Sequence, residues 1–225
     1  LPILMYEQHW RYMKRIVELG DGGRVYARYN TNLSRIEYRG IRLFDAILSN
    51  IRDWQICASL DGTGRVGEYI RTGLDYGQWL TNFQEGLKYA KHPRQMRIDF
   101  TLTLPGLFEV VKIMQLAQDL GVEVLAKVTF AFSPDAIMSP LALPRDILNK
   151  YIDQILPMTR GAMRDVLLQL KNRPTFEEEW PDTVKAGLKR GKDRILRLES
   201  IRPCKTDMRT ILSQDPEILN WWDNI

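Results

Sequence analysis

Four polar clusters recur where apolar runs end. They are Asn30, Thr31 and Asn32; Ser59, Asp61 and Gly62; Thr101 and Thr103; and Thr129 with Ser133. Each falls at the carboxyl end of an expected strand. In a parallel sheet, ligands bind outside that edge. The groups carry a single acid, so they suit hydrogen bonding to a sugar, an amide or an ammonium group better than hydrolysis. CASLDGTG, 57–64, poses the sharpest case. Its small apolar residues lead into Asp61-Gly62-Thr63-Gly64, which serves either as a loop delivered to a site or as a hairpin turn. RQMRIDFTLTL, 94–104, puts Met96, Ile98, Phe100, Leu102 and Leu104 on one side. Asp99, Thr101 and Thr103 then share the other, where an acid requires a ligand cavity or satisfied hydrogen bonds. Tyr69 and Tyr76 flank the 61–64 loop and either line a substrate mouth or pack half-buried.

The elements that must position these residues follow from periodicity. Residues 6–19 read as a helix through Trp10, Met13 and Val17, stopped by Gly20. Strands are expected at 24–32, 53–60, 95–104 and 122–131, with helices at 40–49, 75–90 and 105–120 between them. Pro105 suits a helix start because its missing N–H costs nothing there. Strand–helix alternation with short connections predicts an α/β fold with a parallel sheet and right-handed crossovers. After Phe132, prolines break the pattern. Helices are expected at 145–156 and 160–170, then at 175–190 or from a later start near Pro181, with short helical pieces over 195–225. The division is therefore a strand–helix body, 1–132, and a mainly helical extension, 133–225. Trp221 and Trp222 are expected to dock the end of that extension by packing.

Composition narrows the chemistry. The chain has 225 residues, enough to bury roughly 70% of its unfolded surface without disulfide staples. A net charge of +4 permits an anionic ligand without demanding nucleic acid. Cys57 and Cys204 are the only cysteines, which is no disulfide framework, and Cys57 reads as a small buried hydrophobe. No apolar run reaches membrane-spanning length and no signal peptide opens the chain, so a cytoplasmic setting without a membrane partner is expected. His9 and His92, both read as exposed, offer no zinc spacing and no base for a serine triad. DGTGRVGEY lacks the Lys and Ser/Thr of a phosphate-binding loop. Its Gly62-x-Gly64-x-x-Gly67 spacing matches a dinucleotide fingerprint, but no acid ends a second strand at the right distance. The basic stretch KAGLKRGKDRILR, 185–197, reads as a solvated face or as an anion contact.

Several of these pieces together resemble the radical S-adenosylmethionine superfamily, in particular its members with a short twitch C-terminal domain. NTNL, 30–33, is similar to the family's third-strand motif, and SLDG, 59–62, to its fourth, with Arg71 in EYIRTG as the arginine that follows. Residues 98–124 resemble its fifth strand, crossover helix and sixth strand, and 196–219 its closing helical region. Leu1-Pro2 resembles the end of a Gly-Gly-Glu-Pro motif. The resemblance implies a partial (β/α)6 barrel of parallel strands with a helical C-terminal extension. It implies S-adenosylmethionine as cofactor: Asn32 on the ribose or supporting backbone, Ser59 on the methionine carboxylate or ribose, and Asp61 and Gly62 shaping the loop. Arg71 would clamp the carboxylate. Tyr69, Asp99, Thr101 and Thr103 would face the substrate.

The family's [4Fe-4S] cluster needs three cysteines in a Cys-x-x-x-Cys-x-x-Cys loop, which this chain lacks, so no metal ligand is assigned here. The expectation is a piece of a longer radical enzyme whose cluster segment lies elsewhere, served by an electron donor. The activity implied is reductive cleavage to a 5′-deoxyadenosyl radical and abstraction of a substrate hydrogen. No catalytic residue is assigned, and peptides, nucleic acids and small metabolites stay open as substrates. The alternative is a degenerate, non-catalytic half-barrel that binds a nucleic acid, a peptide or a protein through its basic helical tail.

Overall fold

The computed structural model describes residues 3–129, 131–203 and 205–225. Leu1, Pro2, Phe130 and Cys204 lie outside the described residues, and with them the opening Leu-Pro motif and the second cysteine. Helix α1 (Glu7–Glu18) buries Trp10 and Met13 and stops before Gly20, whose φ of 76° an L residue rarely adopts. Strand β1 (Tyr26–Thr31) follows with strict alternation: Tyr26, Arg28 and Asn30 outward, Ala27, Tyr29 and Thr31 buried.

The single helix expected over 40–49 does not form. Strands β2 (Glu37–Tyr38) and β3 (Ile41–Arg42) make a small hairpin around Arg39 and Gly40, both at positive φ. Gly40 is thus committed to a turn. What remains is a π-helical turn, Leu43–Ile47, and a 3-10 turn, Leu48–Asn50. Eight residues are too few for a stable helix on propensity alone; burial of Leu43, Phe44, Ile47 and Leu48 holds these turns in place.

Strand β4 (Asp53–Ser59) leads into α2 (Gly64–Ile70), a helix that the apolar spacing does not predict. Helix α3 (Tyr76–Tyr89) is capped by Asp75, whose carboxylate accepts from the Gln78 N–H at 2.9 Å. Strand β5 (Met96–Leu102) is followed by a 3-10 turn at Pro105–Glu109 and by α4 (Val110–Leu120), then β6 (Glu123–Val128). The remaining elements are helical: α5 (Arg145–Ile155), α6 (Gly161–Lys171), α7 (Phe176–Glu179), α8 (Val184–Ile201), α9 (Met208–Leu212) and α10 (Pro216–Asp223). Pro181 separates α7 from α8, which decides between the two starts the sequence left open.

Strands β1, β4, β5 and β6 form one parallel sheet in that spatial order, which is also their order along the chain. The fold is therefore α/β with a four-stranded parallel sheet, as expected. The register sets Arg28 beside Gln55, Asn30 beside Cys57, Cys57 beside Arg97 and Ser59 beside Asp99. Beyond β5 and β6 the Thr129 N–H donates to the Leu102 carbonyl at 3.1 Å.

The chain divides into two compact units. One comprises residues 1–60, 73–99 and 116–125; the other comprises 61–72, 100–115 and 126–225. The first is packed around Trp10, Trp54, Trp79, Phe44 and Phe83, each at most 2% exposed. Rings of this size contribute about 1.5–3 kcal/mol each on burial. Gly86 lets α3 approach closely: a Cβ there would lie 2.6 Å from Phe44 Cζ and 2.8 Å from Met96 Sδ. In the second unit Phe100, Leu148, Ile152, Leu167, Phe176, Met208 and Trp222 are buried. Helix α8 lies on the 134–137 segment through Gly187 and Gly191, where a Cβ would meet Pro134 Cγ or the Asp135 carbonyl at 2.6 Å.

Candidate functional site

Alternation and register together give the sheet of the first unit two unlike faces. Residues side by side in register project to the same side. One face carries Ala27, Tyr29, Trp54, Ile56, Ala58, Met96 and Ile98, all buried. The other carries Arg28 and Asn30 from β1, Gln55, Cys57 and Ser59 from β4, and Arg97 and Asp99 from β5. It is most exposed at β1: Arg28 and Asn30 are open to solvent, Gln55, Ser59 and Arg97 are half-buried, and Asp99 is 8% exposed. Arg97 pairs with Glu123 at 2.7 Å. Cys57 is 1% exposed with Sγ 3.8 Å from Gln55 Oε1, a small buried side chain as expected. Of the predicted residues in this unit, Ser59 and Asp99 are register neighbours. Asn32 is set apart in the turn after β1, its side-chain oxygen accepting from the Ser34 hydroxyl at 3.1 Å.

On the other side of the same sheet, His9 is half-buried and not exposed as the sequence implied. It packs edge-on against Tyr29 with ring centroids 5.3 Å apart. Burial lowers the His9 pKa and raises that of the Tyr29 hydroxyl. Neither His9 Nε2 nor the Tyr29 hydroxyl has a hydrogen-bond partner among the described residues. An aromatic cage of this kind gives no nucleophile to a histidine base.

In the second unit the Asp61-Gly62-Thr63-Gly64 segment is a strand-to-helix turn and no hairpin, because α2 starts at Gly64. Asp61 is 5% exposed. One carboxylate oxygen accepts from the Thr101 N–H at 2.8 Å and the other lies 2.7 Å from Arg71 Nε. That Nε is not aligned for a hydrogen bond, so the contact is an ion pair. No hydrogen bond from either Arg71 Nη occurs among the described residues, and the side chain is 30% exposed. Asp61, Arg71 and Thr101 are thus brought together. Thr103 is used locally, its hydroxyl accepting from the Gly106 N–H at 3.1 Å. Tyr69 is 7% exposed and donates to Glu199 at 2.6 Å.

Sequence reasoning missed Glu109. It is wholly buried; one oxygen accepts from the Thr63 N–H at 2.7 Å and from the Thr63 hydroxyl at 2.6 Å, and the other meets Lys112 Nζ at 2.7 Å. It braces the turn from beneath. Gly62 makes room for it, since a Cβ there would lie 3.1 Å from Glu109 Cγ. The available signal was a lone acid inside the apolar run LPGLFEVV, 104–111, which must find partners if the run is buried.

The described residues contain no group of three or more His, Cys, Asp and Glu side chains placed to hold a metal. No helix among them is long and apolar enough to cross a membrane. No protein-family model, curated protein or solved structure matches this chain.

Proposed function

We propose that this chain is the part of a radical S-adenosylmethionine-type enzyme that orients cofactor and substrate. The observation that carries the reading is the sequential parallel sheet with one polar face. Crossovers that always step in the same direction put their helices on the same side. The opposite face is then left to a cavity, as in a partial (β/α)6 barrel. Its polar residues, Asn30, Gln55, Ser59, Arg97 and Asp99, suit a ligand rich in hydroxyl and amino groups.

An iron–sulfur cluster does not fit the residues present. Cys57 is buried in a strand with its thiol on Gln55, and the two cysteines of the chain cannot supply three thiolates. On this reading the cluster ligands come from outside these residues. S-adenosylmethionine itself fits better. The Nη edge of Arg71, held in place through Nε by Asp61, suits the two-pronged recognition of an amino-acid carboxylate. The protein's own work is then binding and orientation, with the substrate class open among peptides, nucleic acids and small metabolites.

The test is calorimetric titration with S-adenosylmethionine. Arg71→Lys keeps the charge but loses the fork. It should weaken binding by about ten- to a hundredfold, the equivalent of roughly 1.5–3 kcal/mol. Equal affinities for wild type and Arg71→Lys, or no binding at millimolar S-adenosylmethionine, would overturn the reading.

A further inference from the structure

The positive charge of this protein is concentrated on one helix. Helix α8 holds six basic residues against Asp193 and Glu199, a net +4, which equals the net charge of the whole chain. Lys185, Lys189, Arg190, Arg194 and Arg197 all lie on its exposed side, with Asp193 as the one acid among them. Arg194 pairs with Asp135 at 3.0 Å. Lys185, Lys189, Arg190 and Arg197 meet no carboxylate among the described residues. From Lys185 to Arg197 these residues span about 18 Å along the axis, with Lys185 and Lys189 on one flank and Arg190, Arg194 and Arg197 about 120–180° around from Lys185. Together they make a broad basic face, and an anionic partner is its complement.

A groove opens beside the first turns of this helix. Its volume is about 630 Å³, and it is lined by Lys185, Leu188 and Lys189 of α8, Ile147 of α5, and Asn220 and Trp221 of α10. Trp221 is half-exposed, whereas its neighbour Trp222 is buried under Lys192, which donates to the Trp222 carbonyl at 2.6 Å. Anchoring thus falls to Trp222 and leaves the Trp221 ring as an apolar wall. Asp146, Glu177 and Glu217 also line it. Those acids would keep phosphates out of the groove and accept hydrogen bonds from the amino groups of a nucleobase. The exposed apolar residues of α8, Leu196 and Ile201, stand about 140° apart around the helix and make no stripe for a lipid surface.

We propose that the exposed face of α8 binds the phosphate backbone of a single-stranded nucleic acid, with one base entering the groove against Trp221. The strand must be single because a paired base cannot leave its stack to reach the ring without disrupting the duplex. The inference rests on the second unit alone and does not depend on the S-adenosylmethionine reading.

The experiment is fluorescence anisotropy with labelled single strands of about twelve nucleotides, DNA and RNA, on the full chain. Binding should fall with salt, the slope of log K against log salt being about −2 to −3 for three or four phosphates. Reversing Lys185, Arg190 and Arg197 to Glu together should lower affinity at least about tenfold. These positions are exposed, so circular dichroism should be unchanged. Trp221→Ala should weaken single-strand binding by about five- to a hundredfold and leave duplex binding alone. The charge reversals decide the backbone contact even if Trp221→Ala fails to fold. Salt-independent binding, no binding, or wild-type affinity in the triple variant would overturn the proposal. So would tighter binding to phosphatidylserine vesicles or to polyglutamate, which would assign the face to a membrane or to an acidic protein.

Discussion

Glu109 shows how much a single buried side chain decides. Its carboxylate satisfies the Thr63 N–H and hydroxyl, and its cationic partner among the described residues, Lys112, is half in solvent. Removing the acid leaves two donors of the half-buried Thr63 without their partner, whereas removing the lysine leaves a buried carboxylate without its cation. Glu109→Ala should therefore cost about 1–3 kcal/mol, whereas Lys112→Ala, which leaves a wholly buried carboxylate without its cation, should cost more, up to about 3–5 kcal/mol. Urea denaturation midpoints of the two variants check this, and a smaller loss for Lys112→Ala would mean that the pair acts as an ordinary surface bridge. The same residue explains Gly62. A methyl group there would press on Glu109 Cγ and on the Gly67 backbone, both at 3.1 Å, so Gly62→Ala should cost about 1–3 kcal/mol in the same assay.

The helical elements of the second unit are joined by one arginine. Arg145, at the start of α5, donates to the Lys171 carbonyl at 2.7 Å, to the Arg173 carbonyl, and through Nε to Glu178 of α7 at 3.0 Å. Glu178 in turn accepts from the Thr175 N–H at 2.8 Å, at the start of its own short helix. The Arg145 hydrogen bond, then the backbone N–H of Thr175, hold the Glu178 carboxyl down at about 2. A carboxyl whose folded pKa lies below its unfolded value stabilises the fold above the unfolded pKa. That contribution should fade as the pH drops from about 4.5 to about 2. Thermal melting of wild type and Glu178→Gln should differ at pH 6 and converge near pH 2. A gap that persists at pH 2 would mean that the two side chains differ in packing and not in charge.

Across the molecule, each unit has a polar tie between segments far apart in the chain. In the first, buried Asn82 of α3 donates to the Leu33 carbonyl at 2.8 Å, which fixes the turn after β1 where Leu33 sits at a φ of 49°. In the second, Glu199 of α8 takes the Tyr69 hydroxyl at 2.6 Å and the Met208 N–H at 2.7 Å through one oxygen. This tie gives Tyr69 a folding role, and its worth can be measured. Tyr69→Phe should cost about 1.5–3 kcal/mol, because a charge-assisted hydrogen bond is lost at a buried position. Chemical denaturation measures it, and an unchanged midpoint would release Tyr69 from that role.

Periodicity alone determined the four strands, helices α1, α3, α5 and α6 and the side of β5 on which Met96, Ile98, Phe100 and Leu102 are buried. It could do so because apolar spacing encodes a face directly. It ended α8 near 190, where the helix runs on to Ile201. It could not give the hairpin at 37–42, where two residues at positive φ override an apolar pattern that looked helical. Nor could it give α2, a seven-residue helix with two glycines, which stands because Glu109 grips its first turn from 46 residues away. The question raised by SLDG was likewise settled at a distance. Asp61 bonds the backbone at Thr101, 40 residues on, and pairs with Arg71, so the loop is a braced turn whatever it binds. The basic face of α8 was legible as a charge run, but only the folded unit showed which cations remain unpaired and that Trp221 stands in the groove beside them. Local sequence specifies the pattern of a face; which partner completes a buried or charged group depends on contacts between residues that the chain keeps far apart.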